Sequence, residues 1–187
     1  MRRVLALSLV CWFFAAGVVR STTVIAPTFG SLVSKASTIF VGDVMDVRSV
    51  WEDTRDGRSI ITLVTFRVSD VWKGSVGAVT QLEFLGGTIG ETTMVVAGVP
   101  RFSVGQRDVL FVGGTARAIS PLVAMMHGRM RVDRDTNGVE RVTTFDGRAV
   151  VSTAELGPQR AASAPAGGPP MRLVDLGAAV RAELQRR

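Results

Sequence analysis

Two β-rich runs separated by a turn constrain this chain more than any other feature. Thr38 to Trp51 (TIFVGDVMDVRSVW) and Ser59 to Trp72 (SIITLVTFRVSDVW) flank Asp56-Gly57, a dipeptide suited to the tight turn of a β-hairpin. In the second run Ile60, Val64, Phe66, Val68 and Trp72 fall on one face, with Ile61, Thr65, Arg67, Ser69 and Lys73 mostly on the other. A period of two marks a strand with one buried face. The runs are therefore expected to pair as a long antiparallel hairpin. Gly42 interrupts the first run, as a bulge or bend does.

Shorter elements follow. Val79 to Leu85 reads as a strand, Thr92 to Val96 as a shorter one, and Gln106 to Val112 (QRDVLFV) as a buried one. Leu122 to Val132 contains a β-compatible stretch, and Val139 to Phe145 returns after a hairpin turn over Asp135 to Gly138. Thr28 to Ser37 reads as a short helix capped by Thr28. Residues 155–170 form a linker rich in Ala, Pro and Gly, and residues 171–187 an amphipathic helix with Leu173, Leu176, Val180 and Leu184 at helical spacing. The expected architecture is mainly β. Residues 22–154 would form a small five-stranded OB-like barrel, with the short helix before it and the amphipathic helix after it. Closure removes exposed sheet edges; a β-sandwich is the alternative.

The N-terminus points to export. Arg2 and Arg3 precede Val4 to Val19, an uncharged run dense in Leu, Val, Phe and Ala. A spanning helix needs ~20 apolar residues, so the run suits a cleavable signal peptide over residues 1–21, cut after Gly17 or Ser21. The destination is the periplasm or the extracellular medium, without stable membrane insertion once the signal is removed. Cleavage takes the only cysteine, Cys11, so no disulfide supports the mature domain. It also takes three of the 22 basic residues and halves the net charge of +6. What remains is too scattered to predict a nucleic-acid groove.

Catalytic chemistry finds little footing. His127 is the only histidine, whereas zinc sites draw on three or four His, Cys or carboxylate ligands. Asp133-x-Asp135-x-Asn137-Gly138 matches half of a calcium loop, but Thr144 stands where a bidentate Glu belongs, so a hairpin turn rich in Asp and Asn is expected. Gly86-Gly87-Thr88-Ile89-Gly90 lacks the Gly-Lys-Ser/Thr ending of a phosphate loop. There is no Gly-x-Ser-x-Gly elbow. No catalytic residue, metal site or cofactor is expected.

The segments Phe40 to Val44, Val68 to Gly74, Gly86 to Gly90 and Gly98 to Phe111 together carry a pattern. It resembles a group of exported bacterial proteins that look like netrin/TIMP-type OB barrels, some of which accompany matrixin-like metalloproteases. The resemblance spans about residues 28–132 and implies the barrel and a protein partner, such as a protease or an envelope protein. Inhibitors of the TIMP type present an N-terminal cysteine to the protease zinc. None follows the signal peptide here, so zinc chelation is not implied.

These readings converge on an exported, non-catalytic binding or accessory module. Its expected contact loop runs from Gly86 to Phe102, Gly-rich and irregular, with Gly86, Gly87, Ile89, Met94, Pro100, Arg101 and Phe102 as the named positions. The alternative is an envelope structural protein tethered by its C-terminal helix. A metal-dependent hydrolase stands behind both.

Overall fold

The computed structural model describes residues 26–54, 57–114, 119–157 and 168–186. The expected signal peptide, Asp56 at the hairpin tip and most of the expected linker lie outside these residues. Strands β1 (Thr38–Thr54) and β2 (Gly57–Lys73) form the long antiparallel hairpin. After it come β3 (Val79–Leu85), β4 (Gly87–Ile89), β5 (Thr92–Met94), β6 (Arg107–Val112), β7 (Arg129–Arg134) and β8 (Glu140–Thr144). Helix α1 (Phe29–Lys35) precedes the strands and α2 (Leu173–Gln185) follows them. Thr28 caps α1, its side chain accepting the Ser31 amide at 3.2 Å.

Six strands make one antiparallel sheet in the order β3-β2-β1-β6-β7-β8, and β4 pairs β5 in a separate hairpin. The fold is therefore mainly β with a short N-terminal and a C-terminal helix. The expected five-stranded closed barrel is corrected: the sheet has six strands, and its ends do not pair with each other among the described residues. Each end has another partner. The β8 amide of Val142 donates to Met171 O at 3.0 Å, and Met171 N donates to Val150 O at 2.8 Å. At the other end, Leu85 N donates to Ile119 O at 3.0 Å. Other chain segments thus take up one backbone group at the β3 edge and several at the β8 edge.

Both faces of the sheet are covered. On one, Ile39, Val41, Val109, Phe111, Met130 and Val142 pack against Leu32 and Val33 of α1 and Leu173, Leu176 and Val180 of α2. On the other, Phe40, Val44, Val64, Phe66, Leu82, Phe84, Leu110 and Val112 meet Phe102 and Leu122. The double burial explains the unbroken apolar run Val109 to Val112 in β6.

Register shifts decide which residue faces which core. The β1–β2 ladder skips Met45, Ser69 and Trp72. Simple alternation puts Trp72 on the face of Phe66; the bulges turn it to the helical side, where it packs with α2. Gly177 is the contact point. A Cβ there would lie 3.1 Å from two carbons of the Trp72 ring. The Trp72 indole also donates to Asp70 Oδ2 at 2.7 Å. Leu122 to Val132 departs from the expected strand as well. Met125–Gly128 is a 3-10 turn entered through Ala124 (φ 51°), and β7 begins only at Arg129. A Cβ on Gly128 would fall 2.6 Å from Val123 O, so the tight turn requires glycine there.

Replacing Gly177 by Leu should push α2 off Trp72 and lower unfolding free energy by about 1–3 kcal/mol in urea titrations, with a changed near-UV dichroism band. Ala178→Leu, one residue along on the exposed face, should stay within ~0.5 kcal/mol.

Candidate functional site

The inner face of the hairpin carries an irregularity. Beyond the Met45 bulge, Val47, Ser49 and Trp51 of β1 oppose Val64, Thr62 and Ile60 of β2. Two hydroxyls thus interrupt an otherwise apolar face. They hydrogen-bond to each other (Ser49 Oγ to Thr62 Oγ1, 3.1 Å) and support what lies above them. Thr62 Oγ1 donates to Gly86 O at 2.6 Å, and Ser49 Oγ accepts the Thr88 amide at 3.3 Å. Gly87, at φ 143°, sits so low that a Cβ would come within 2.3 Å of Ser49 Oγ and 2.4 Å of Thr62 Oγ1. The Gly86-Gly87 pair is thus a seat for the β4–β5 hairpin, in the segment whose sequence lacks the ending of a phosphate loop.

The second wall is the segment Gly98 to Gln106. Its anchor is a buried ion pair. Arg129, 4% exposed at the start of β7, forms a two-pronged bridge to Asp108 of β6, which is fully buried. Nε lies 2.8 Å from Oδ1 and Nη2 3.0 Å from Oδ2. The remaining donors reach into the segment: Nη1 to Arg101 O at 2.5 Å and Nη2 to Gln106 Oε1 at 2.9 Å. Gln106 Oε1 also accepts the Ser103 amide at 2.8 Å. The guanidinium stacks 4.2 Å above the Phe102 ring centroid. Phe102 in turn sits 5.5 Å from Phe66 and 4.9 Å from Phe84, centroid to centroid. Burial pushes the Asp108 carboxyl above its ordinary value, opposed by the hydrogen bond and charge of Arg129.

Between these walls lies a cleft of about 210 Å³. Phe84 and Phe102 are its buried aromatics; Val47, Val96 and Val99 are apolar sides; Ser49, Thr62, Thr88 and Thr93 supply hydroxyls. Of the positions expected from sequence, Gly86, Gly87, Met94, Pro100, Arg101 and Phe102 all line it. Ile89 does not; it is half-buried in β4, paired with Thr92. Their characters differ from the expectation. Gly86, Pro100 and Phe102 are buried structural members, whereas Arg101 is exposed. Sequence reasoning missed Val47, Ser49 and Thr62, which lie outside the expected loop. The available signal was the polar pair Ser49 and Thr62 on an apolar strand face. Trp51 is 40% exposed two residues beyond Ser49 on the same face, with the Arg58 guanidinium 4.8 Å from its ring centroid.

The other candidates resolve into structural roles. His127 stands edge-on to Phe145, ring centroids 5.3 Å apart. Asp135 turns its oxygens inward, Oδ1 accepting the amides of Asn137 and Val139 at 2.9 Å and Oδ2 the Arg141 Nε at 2.9 Å. The segment is the expected hairpin turn. Among the described residues no group of three His, Cys, Asp or Glu side chains is placed to hold a metal ion. None of their helices is long and apolar enough to cross a membrane.

Truncating either Arg129 or Asp108 to Ala strands the other charge in the interior and should cost about 3–5 kcal/mol in chemical denaturation. The double replacement Arg129→Met with Asp108→Leu should cost less than the two single losses combined, and a double-mutant cycle reads the difference. The Asp135 carboxyl is held below its ordinary value, first by the Arg141 hydrogen bond and then by the Val139 amide. A depressed carboxylate contributes stability above its unfolded pKa and loses it as pH falls through the folded pKa. Exchange protection of the Val139 amide should therefore persist through the ordinary carboxylate range and fall only in stronger acid, a step that Asp135→Asn removes.

Comparison with protein-family models, curated proteins and solved structures finds no match to this chain.

Proposed function

We propose that the chain is an exported, non-catalytic binding module that engages a protein partner through the cleft between the β4–β5 hairpin and the Gly98 to Gln106 segment. The observation that carries this reading is the construction of the cleft. A rigid wall fixed by the Arg129–Asp108 pair faces a hairpin seated on Ser49 and Thr62, and the space between is apolar at its base with hydroxyls along it. Binding surfaces are commonly built this way, as an apolar depression with a few fixed polar groups on loops held by a stiff frame. Export rests on the basic, then apolar, N-terminal sequence. The partner is a secreted or envelope protein, a protease among the options.

The OB-type, TIMP-like kinship belongs to the same proposal. Its support is a bent first strand that pairs β2 along its length and β6 over Thr38 to Asp43, curling the sheet around an aromatic core. OB folds are themselves only partly closed. The alternative of a tether through the C-terminal helix draws less support. Leu173, Leu176 and Val180 point into the core and are not offered to a membrane or partner.

A photo-crosslinking residue at Val95, an exposed position on the cleft, should give a discrete adduct in the cells that export the protein. The same residue at Val174, exposed on α2, should not. Absence of any adduct from Val95, Thr88 and Arg101 would count against the cleft as a contact surface.

A further inference from the structure

The chemistry of the cleft narrows the partner further; this inference rests on the binding-module reading above. Ligand sites for cofactors and drug-sized molecules occupy about 300–1,000 Å³. At about 210 Å³ this cleft has room for one large side chain rather than for a cofactor. Its charge is one-sided. Among the described residues Arg101 is the only charged one along it, and no Asp or Glu lines it. The Arg101 backbone is fixed, since its carbonyl accepts from Arg129 and its neighbour Phe102 is clamped under the same guanidinium. The Arg101 side chain is exposed and, among the described residues, has no hydrogen-bond or ion-pair partner. At the rim stands Val95, 69% exposed; Trp51, 40% exposed with Arg58 over its ring, follows two residues beyond Ser49 on the same strand face. An apolar depression with a positioned Arg beside it matches the composition of protein-binding hot spots.

We infer that the cleft takes an extended peptide segment of the partner, with one apolar side chain inserted between Val47, Val96 and Val99 and an adjacent Asp or Glu carboxylate paired to Arg101. The peptide backbone then lies over the hydroxyls of Thr88 and Thr93, which hydrogen-bond to each other at 3.0 Å and are free to turn toward a ligand. Arg suits this role because its planar fork donates to both oxygens of a carboxylate. A basic or uncharged segment would leave that charge unanswered at the edge of a desolvated contact.

Display selection with random dodecapeptides on the mature protein tests this. The probes are the wild type, Arg101→Glu and Thr93→Trp; both changes fall at exposed positions, and the second fills the cleft. The expected result is enrichment of peptides with an apolar residue beside Asp or Glu. One such synthetic peptide should bind about tenfold more weakly to Arg101→Glu at low salt, a difference that shrinks as salt rises and screens both the wild-type attraction and the variant's repulsion. Thr93→Trp should abolish enrichment. Peptides lost with Thr93→Trp but indifferent to Arg101→Glu would overturn the acidic-segment inference while leaving the cleft as a binding site. Enrichment indifferent to both variants would overturn both readings. So would no enrichment, with the protein instead self-associating through this face in sedimentation or floating with phosphatidylglycerol vesicles.

Discussion

A single buried guanidinium organises the side of this domain where its irregular chain runs. Arg129 neutralises Asp108, holds the carbonyl of Arg101, meets the amide oxygen of Gln106 and covers Phe102. Buried ion pairs are poor sources of net stability, because desolvation opposes the Coulomb attraction. Their effect is on uniqueness. Without Arg129, the segment from Gly98 to Gln106 would retain apolar contacts through Phe102 but no directional bond to β7. The pair thus converts a loop with few regular hydrogen bonds into a wall with a defined position. The cleft inherits its shape from that wall.

The sheet depends on a second constraint, the bulges of the hairpin. Three skipped residues divide one pair of strands between two cores. Met45 sets the parity that brings Ser49 and Thr62 under the β4–β5 hairpin; Ser69 and Trp72 set the parity that gives an indole to α2. β3 contributes Leu82 and Phe84, and β6 Leu110 and Val112, to the same core as Phe40 and Phe66. Side-chain address thus follows from the register of the hairpin.

Much of the strand content was legible because periodicity is a local property. β3 matches its expected bounds, β6 lies one residue inside them, and the Thr28 cap is where its side chain predicts. Closure was not legible, since it depends on which distant segments occupy the edge backbone groups. Met171 sealing β8 and Ile119 meeting Leu85 leave no local mark. The stretch Gly86 to Phe102 stands out in sequence by its glycines and irregularity, and six of its seven named positions line the cleft, several of them for other reasons. Gly86 and Gly87 are there to fit against hydroxyls from two other strands, and Phe102 to fill a core. The ion pair that fixes the loop was missed altogether. Asp108 sits in a run that reads as apolar strand, and its partner is 21 residues away.

The partner of β8 also has a temporal meaning. The backbone that seals this edge comes from residue 171, and the helix that covers the Trp72 face follows immediately. A chain synthesised N-terminus first presents β1, β2 and β6 with this core face covered only by α1 until residues 171–185 have been made. Non-local pairing of this kind forms slowly. The core around Trp72 therefore closes only once Leu173, Leu176 and Val180 have been made, later than every strand that they cover.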